Sequence, residues 1–421
     1  MKKRVLVLNC GTLTSTELNM SLRYNEEFEI WGASTNKNHG IYVYENYIED
    51  IPNITDENFI NILNKKIEKY DFKFIFVPHE DLALYLQKHK NEINATIVCS
   101  EYETALLCRY KSKTYQKMKD YDFVPKTFKK EEVKKFPVFM KKDDDQGGKN
   151  AYKIQNKEEL EHFYEIDNMI ICEYLPGEEV TIDCFTNKEG KLLYCNPRAA
   201  DRMLAGIDVH ARRINLSDEI KYIAESLNKE IKFRGFWFFQ IKKDENGKFK
   251  LLEIATRLAG SFALNKSLDV NLPLMALKDF DGQEIEINFN DVNVEVDKQF
   301  FSKFIMDIEY ENVYIDFESC FENIKIINTL LIMYIYQCVN KNKKLVLVIK
   351  KDAPIDLLLN EKRLNKNLFF KIIDCVNLEK DISTEGIFIS NNEILKNKLR
   401  KNKKIYCFST NSVEALIDWK A

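Results

Sequence analysis

The composition of the chain restricts its class before any motif is considered. Its 421 residues are 45% hydrophobic, which suits roughly two to four folding units with buried cores. The 63 basic residues against 66 acidic residues give a net charge of -3, which argues against a nucleic-acid binder that relies on bulk positive charge. The 10 cysteines form no CxxC pair, and the longest apolar run, 326–336, is too short for a membrane span. We therefore expect a cytoplasmic protein that binds neither nucleic acid nor membrane.

The first hundred residues alternate between strand and helix patterns. The predicted strands are 4–8, 28–31 and 72–77, and the predicted helix is 58–67. This alternation predicts a small doubly wound sheet, but the first turn, residues 9–14, lacks the GxGxxG of dinucleotide sites. The loop 78–81 follows a strand where open α/β sheets place ligands, although its acidic residues equally suit the start of a helix.

The central stretch, 137–261, contains side chains suited to phosphate groups. Lys141 ends an apolar strand and precedes Gly147 and Gly148, so this segment offers a cation and backbone N–H groups. Arg198 and Arg202 suit a transferring phosphoryl group, because guanidinium forks match phosphate oxygens. The sequence therefore predicts that this stretch binds phosphates.

The same stretch offers groups for the rest of a nucleotide. A strand ends at Glu173, and its continuation, Tyr174 and Leu175, can present backbone groups to the edge of a base. Glu179, just beyond, can accept hydrogen bonds from ribose hydroxyls. We therefore predict that residues 173–179 receive the nucleoside.

Two further strands carry oxygen ligands of the type that Mg²⁺ requires. Gln240 lies on the predicted strand 235–241, and Glu253 lies on the predicted strand 249–255. The intervening Asn-Gly pair predicts a hairpin with a two-residue turn, which places the two strands side by side. Residues 217–231 have the apolar spacing of a helix, with Ser217 as its cap.

In their order and spacing, these blocks resemble the ATP-grasp family, closest in pattern to the carbamoyl-phosphate-synthase-like and carboxylate–amine ligase branches. The resemblance implies an α/β fold with a Rossmann-like domain over 1–102 and an ATP-grasp α+β domain over 103–290, including a lid subdomain at about 120–180. It implies an ATP-dependent C–N ligase with ATP and Mg²⁺ as cofactors. Its partners would be a small-molecule carboxylate and an amine, joined through an acyl phosphate with release of ADP and phosphate, and a homodimer is an option.

The resemblance also assigns roles to individual residues. Lys113, in a predicted helix over 103–118, would reach the nucleotide, and Arg257 would join the two preceding arginines in steadying the γ-phosphoryl group. Ala255 stands where most relatives carry an Asn metal ligand, so one metal site, at Gln240 and Glu253, is expected to be intact. Two alternatives stay open: a catalytically weak ATP-binding partner subunit, and a kinase that phosphorylates a small molecule.

The last part of the chain, 300–421, resembles a haloacid-dehalogenase-type (HAD) phosphatase domain in degenerate form. Asp316 ends a predicted strand where that family has its nucleophile, but Glu318 replaces the second Asp of the Asp-x-Asp motif. The expected hydroxyl residue near Ile349 and acidic pair near Ser390 are missing. The resemblance therefore implies a structural or docking domain.

Overall fold

The structure, a computed structural model, divides into two compact units, Met1–Phe300 and Phe301–Ala421. It describes all residues except 1, 24, 146–147, 149, 205–206, 300–303, 305, 323–325, 352, 379–381, 383–384, 402–404 and 421. Within the described residues, no helix is long and apolar enough to cross a membrane.

The first unit begins with a parallel five-stranded sheet of order β3-β2-β1-β4-β5. Its strands are β1 (Lys3–Leu8), β2 (Phe28–Ala33), β3 (Asn46–Ile48), β4 (Phe72–Phe76) and β5 (Thr96–Ile97). Its helices are α1 (Leu13–Leu22), α2 (Phe59–Tyr70) and α3 (Glu80–Lys88). Val5 and Val7 pack into one core and Leu6 and Leu8 into another, because both faces of a doubly wound sheet are covered. The predicted strand–helix alternation is confirmed.

The predicted helix over 103–118 is wrong as a single element. The chain forms α4 (Tyr102–Arg109) and α5 (Lys111–Lys117), which are separated at Tyr110. Tyr110 has an extended backbone (φ −109, ψ 116), so the helical direction changes there. As a result, Lys111 becomes the first residue of α5, and its side chain is buried.

A small antiparallel sheet of order β6-β9-β7-β8 follows, within the range predicted for the lid. Its strands are β6 (Thr127–Phe128), β7 (Val138–Lys142), β8 (Ala151–Ile154) and β9 (Met169–Glu173), and its helix is α6 (Lys157–Tyr164). Val138, Met140 and Ile171 from the strands pack with Leu160 of the helix. Because successive side chains of a strand point to opposite faces, Lys141 lies on the opposite face of β7 from Met140.

The largest sheet is antiparallel, with six strands in the order β14-β13-β10-β11-β12-β15. They are β10 (Glu179–Thr186), β11 (Leu192–Leu204), β12 (Ile207–Arg213), β13 (Gly235–Lys243), β14 (Phe249–Ala255) and β15 (Glu295–Asp297). The helices of this region are α7 (Asp218–Glu230) and α8 (Leu272–Phe280). Ser217 caps α7 by accepting a hydrogen bond from the N–H of Ile220 (3.3 Å), as predicted. Val180 and Ile182 share a core with α7, which leaves Thr181 and Asp183 on the other face of β10.

The hairpin between β13 and β14 is confirmed, but its turn is longer than predicted. The N–H of Asp244 donates to the carbonyl of Lys248 (2.8 Å), so three residues lie between the closing pair. Gly247 has φ +77, a conformation that favours glycine.

A β-bulge interrupts the pairing of β13 with β14. Gln240 pairs with Glu253, but Ile241 pairs with Leu251, so Leu252 is an extra residue in β14. Leu251 and Ile254 both face the core under α7, while Glu253 lies beside Gln240 on the opposite face. The bulge therefore leaves the predicted pair of oxygen ligands on one face and leaves Leu252 out of the strand pairing.

The second unit is a parallel five-stranded sheet of order β18-β17-β16-β19-β20. Its strands are β16 (Asn312–Asp316), β17 (Lys344–Ile349), β18 (Lys371–Asp374), β19 (Gly386–Ile389) and β20 (Ile405–Phe408). Its helices are α9 (Thr329–Asn340), α10 (Ile355–Glu361) and α11 (Glu393–Leu399). Asp316 ends the central strand, is buried, and accepts hydrogen bonds from the hydroxyls of Ser319 (2.7 Å) and Ser390 (2.5 Å).

Candidate active site

A cavity of about 490 Å³ lies in the first unit, lined by the small sheet, the largest sheet and loops of the N-terminal sheet. Most of the predicted site residues line it: Lys141, Gly148, Glu173, Tyr174, Leu175, Glu179, Arg198, Gln240, Glu253 and Arg257. Lys113 and Arg202 do not line it, and Gly147 lies outside the described residues. The structure thus gathers into one space side chains that are more than a hundred residues apart in the chain.

Lys141 is held by two oxygen acceptors in the wall of the cavity. Its ammonium donates to the hydroxyl of Tyr115 and to the carbonyl of Leu252, both at 2.9 Å. The Tyr115 hydroxyl in turn donates to the same carbonyl (2.7 Å). Burial lowers the pKa of Lys141, because desolvation disfavours the charged amine. A cation held in this way is fixed in position, and any anion that enters the cavity would stabilise its charged form.

Lys111 occupies the place that the sequence assigned to Lys113. Its ammonium donates to the carbonyl of Asp145 (2.8 Å) and lies 3.6 Å from a carboxylate oxygen of Glu253. Lys113 lies instead with its ammonium 4.6 Å from the centre of the Tyr110 ring. Because α5 begins at Lys111, the two lysines, two positions apart, point to different sides of the helix.

Gly148 lines the cavity in the loop after β7. Its φ of +69 lies in the left-handed region, and a Cβ atom there would meet nothing within 4 Å. The backbone conformation, and not a lack of space, therefore favours glycine at this position.

The end of β9 forms one side of the cavity. Glu173 is tied to Lys126, the residue before β6, since its N–H donates to the carbonyl of Lys126 (2.9 Å) and its carboxylate accepts from the N–H of that residue (2.8 Å). The Tyr174 ring lies 4.2 Å from the ammonium of Lys153, and Leu175 is buried. The apolar lining on this side also includes Pro125, Phe139, Ala151 and Leu252.

Glu179 and Gln240 lie next to each other on the largest sheet. Glu179 accepts a hydrogen bond from the ammonium of Lys242 (3.3 Å), and the Gln240 amide N–H₂ donates to the hydroxyl of Thr181 (3.1 Å). With its amide nitrogen directed to Thr181, Gln240 has its amide oxygen as a possible metal ligand.

Gln240 and Glu253 form a donor set of oxygens that fits Mg²⁺ in chemical type. Among the described residues, no group of three or more His, Cys, Asp or Glu side chains could hold a metal ion by itself. The pair therefore suits a cation that receives most of its ligands from bound phosphates and water. Ala255, further along the strand, is buried in an apolar cluster with Phe238 and Ala259 and supplies no ligand.

Two arginines reach the cavity from different elements. Arg198 on β11 is fully buried, and its Nε donates to Asp183 (2.9 Å). The Nε of Arg257 donates to Glu80 (3.1 Å), whose carboxyl pKa is raised by burial although Arg257 acts in the opposite direction. Arg202 does not join them, because it is more than half exposed and forms an ion pair with Asp297 of the edge strand β15.

Several lining residues were not found by sequence reasoning. They are Lys111, Tyr115, Thr181 and Lys242, together with Thr12 and Thr14 at the start of α1. The loop 78–81 has features of both interpretations: Pro78 and His79 line the cavity, while Glu80 begins α3. The two threonines follow the carboxyl end of β1, where the strand order reverses toward β4. Open α/β sheets place ligands at such a point, so their position directly after a strand is the signal for them.

Comparisons with known proteins agree with this fold. Residues 165–300 match the family model described as ATP-grasp in the biosynthetic pathway with Ter operon. No curated relative matches the sequence. Among solved structures, biotin carboxylase from Campylobacter jejuni in a β,γ-ATP complex is 16% identical with a TM-score of 0.57, over 68% of this chain and 72% of that chain.

Two ligase-type enzymes are similar at the same level. N5-carboxyaminoimidazole synthetase from Staphylococcus aureus in complex with ADP is 16% identical with a TM-score of 0.57, over 69% of this chain and 80% of that chain. The L-amino acid ligase from Bacillus licheniformis is 14% identical with a TM-score of 0.52, over 66% and 74% of the two chains. At such identities the likeness shows the fold.

The chain carries an ATP-grasp domain, as the sequence predicted. The family model and the similar folds agree with the predicted enzyme class, an ATP-dependent ligase, and one of the solved structures of similar fold contains MgADP. None of these comparisons identifies the second unit as HAD-like, so that resemblance stays a prediction, as do the predicted domain boundaries and the roles of the individual site residues.

Proposed function

We propose that the protein is an ATP- and Mg²⁺-dependent carboxylate–amine ligase that works through an acyl phosphate. One observation carries the proposal: a single cavity contains two buried lysines, a pair of metal-type oxygens and two arginines, next to an apolar slot. This set provides the positioning and charge stabilisation on which phosphoryl transfer depends.

In the proposed complex, ATP lies along the cavity from the apolar slot to the arginines. The base would lie beside Leu175 and Phe139, with its edge toward the backbone after Glu173. The ribose hydroxyls would donate to Glu179. Lys141 and Lys111 would bind the phosphates. The burial of Lys141 supports this role, since its ammonium donates to a hydroxyl and a carbonyl, which are neutral acceptors, whereas buried charges are usually paired with an opposite charge.

The reaction takes two balanced steps. A carboxylate oxygen of the substrate attacks the γ-phosphorus, the bond to the β,γ-bridging oxygen breaks, and ADP leaves. An amine then attacks the acyl carbon, phosphate leaves with the electron pair of the C–O bond, and the amine loses a proton. Arg198 and Arg257 would stabilise the γ-phosphoryl oxygens during the first step. Gln240 and Glu253 would hold Mg²⁺, which supplies positive charge to the phosphate oxygens when bound.

The proposal also includes the size of the substrates, the location of the protein, its oligomeric state and its place in metabolism. We expect small-molecule substrates, because the cavity measures about 490 Å³. All 10 cysteines are free, which supports a cytoplasmic location. A homodimer is supported by the solved biotin carboxylase domain dimer of the Hydrogenobacter thermophilus 2-oxoglutarate carboxylase, whose fold is similar. The description of the matching family supports a place in a biosynthetic pathway.

The test is to incubate the protein with MgATP and a panel of carboxylates, with and without amines, and to measure ADP. A ligase releases ADP with a carboxylate and an amine, and hydroxylamine traps the acyl phosphate as a hydroxamate. A kinase gives a stable phosphorylated product in place of a trapped intermediate. Tight MgATP binding without ADP release for any pair contradicts the ligase and favours an ATP-binding partner subunit.

Variants on the small sheet connect the activity to the cavity. Lys141→Met removes the buried ammonium and should abolish nucleotide binding or turnover. Lys130→Met is the matched control, because Lys130 lies outside the cavity and forms an ion pair with Glu161. Full activity of Lys141→Met would contradict the assignment of the phosphate site.

A further inference from the structure

Asp183 is a buried carboxylate behind Arg198 that the proposed reaction does not use. It is 2% exposed, and its Oδ2 accepts from Arg198 Nε (2.9 Å) while its Oδ1 accepts from Arg198 Nη2 (3.4 Å). A two-point contact of this kind fixes both the position and the plane of a guanidinium group. Arg198 therefore lines the cavity in an orientation that Asp183 sets.

Asn265 connects this ion pair to the rest of the site. Its amide nitrogen donates to Asp183 (2.8 Å) and to the carbonyl of Phe262 (2.9 Å). Its amide oxygen accepts from the hydroxyl of Tyr194 (2.9 Å) and the amide of Asn196 (3.0 Å). Both ends of the Asn265 side chain are thus bonded, and the carboxylate that holds Arg198 is itself held in place.

The burial of this cluster does not by itself explain its presence in the core. A buried ion pair and its polar neighbours can often be replaced by apolar residues of similar size without loss of stability, so its presence is weak evidence for a stabilising role. The strands around it are otherwise packed by apolar side chains of the same core, such as Phe185 and Phe236. The cluster does orient an arginine that lines the cavity, and this is a function that apolar packing could not provide.

We propose that Asp183 is a positioning residue: it aims the guanidinium of Arg198 at the phosphoryl group in transfer, and Asn265 keeps the carboxylate in register. This inference rests on the proposed function, because it assumes that the γ-phosphoryl lies at the Arg198 end of the cavity. Asp183 acts through Arg198 and does not touch the nucleotide. Its loss should therefore weaken binding of the transferring group more than binding of the nucleotide itself.

The experiment compares two ligands that need no knowledge of the acceptor substrate. MgADP probes the nucleotide site, and MgADP with tetrafluoroaluminate probes the site as it holds a transferring phosphoryl group. Asp183→Asn keeps the shape of the side chain but removes its charge. We expect its affinity for MgADP to stay within about twofold, and its affinity for the fluoroaluminate complex to fall about 10- to 100-fold, the range for a lost hydrogen bond to a charged group.

The matched control is Asp279→Asn, which changes a buried aspartate paired with Arg234 (3.0 Å) away from the cavity. It should alter neither affinity. A double-mutant cycle with Arg198→Ala adds a readout that a purely structural role would not give: once Arg198 is absent, Asp183→Asn should have no further selective effect. The double variant also removes both charges of the buried pair, so it leaves no unpaired charge if the single variant folds poorly.

The outcomes separate the two proposals. A wild-type protein that fails to bind MgADP contradicts the proposed function and overturns the inference with it. A wild-type protein that binds both ligands, with Asp183→Asn behaving like wild type, overturns the inference alone. Equal loss of both affinities in Asp183→Asn, or an undiminished effect in the Arg198→Ala background, shows a structural role and also overturns it.

Discussion

The ammonium of Lys141 lies 2.9 Å from the main-chain carbonyl of Leu252, the residue that the β-bulge adds to β14. β14 is the edge strand of the largest sheet and pairs with β13 alone, so the carbonyls on its outer side have no neighbouring strand to pair with. The Leu252 carbonyl accepts instead from Lys141 and from the hydroxyl of Tyr115 (2.7 Å). The edge of the largest sheet thus positions a lysine of the small sheet.

Tyr115→Phe tests this arrangement. The variant removes the hydroxyl that accepts from Lys141 and leaves the lysine with the Leu252 carbonyl as its acceptor in the cavity wall. One hydrogen bond is worth about 1 kcal/mol, so we expect the Kd for MgADP to rise about fivefold. Tyr121→Phe is the control, because the Tyr121 hydroxyl bonds to Glu230 outside the cavity (3.0 Å). Equal affinities in the two variants, measured by calorimetry, would show that Tyr115 does not position Lys141.

As the pH rises, nucleotide binding should begin to weaken at a lower pH than it would if Lys141 had the pKa of an ordinary lysine. Burial lowers the pKa of Lys141 below its ordinary 10.5, so the free protein loses this charge at a lower pH. Phosphates bind the ammonium and not the neutral amine, and affinity for MgADP should fall as pH rises through the folded-state pKa. Lys141→Met should bind weakly at every pH without this decline. A wild-type Kd that stays constant up to pH 10.5 contradicts the prediction.

The same shift has a consequence for stability with the opposite sign. Between the lowered pKa of folded Lys141 and the ordinary value of the unfolded chain, the unfolded state binds more protons. The free energy of unfolding of the nucleotide-free protein should therefore rise with pH in that window, compared with Lys141→Met. Urea unfolding of the two proteins at several pH values measures the difference, and parallel curves would refute the effect.

Lys111 and Lys113 make a direct comparison, because the sequence favoured one and the structure places the other in the cavity. Lys111→Met removes a buried ammonium next to Glu253, and we expect MgADP affinity to fall about 10- to 100-fold. Lys113→Met removes an ammonium that lies over the Tyr110 ring, and affinity should change little. The reverse order of effects would restore the original assignment.

The sequence was sufficient for elements whose periodicity is strong and local. The apolar runs of β13 and β14, separated by the Asn-Gly pair, predict a hairpin with Gln240 and Glu253 on neighbouring strands. The register that sets the two side chains opposite each other also depends on the longer turn and on the bulge at Leu252. The order of the central blocks was equally informative, since most of the residues chosen from it line one cavity. In these places, local pattern and tertiary structure agree.

The sequence did not predict the places where the backbone departs from regular helix or strand geometry. The extended conformation at Tyr110 and the extra residue Leu252 leave no mark in the hydrophobic periodicity. The first determines which lysine of α5 lines the cavity, and the second supplies the carbonyl that holds Lys141. Arg202 was chosen because its guanidinium suits phosphate oxygens, but the register of β11 shifts between Ala200 and Arg202 and again after Arg202. Its guanidinium instead pairs with Asp297 of β15, a contact that only the assembled sheet reveals.

Ala255 offers a last test, because it stands where the family resemblance predicts an Asn metal ligand. Its side chain is 3% exposed and packs with Phe238 and Ala259, so the surroundings are apolar. Ala255→Asn would bury an amide without a partner, and we expect the free energy of unfolding to fall by about 1–3 kcal/mol. Ala255→Val separates this polar cost from the effect of added volume. If the new amide oxygen gains Mg²⁺ as a partner, MgADP should stabilise Ala255→Asn more than it stabilises wild type. A variant as stable as wild type without nucleotide would show that the pocket around residue 255 is not the dry, apolar one that its neighbours indicate.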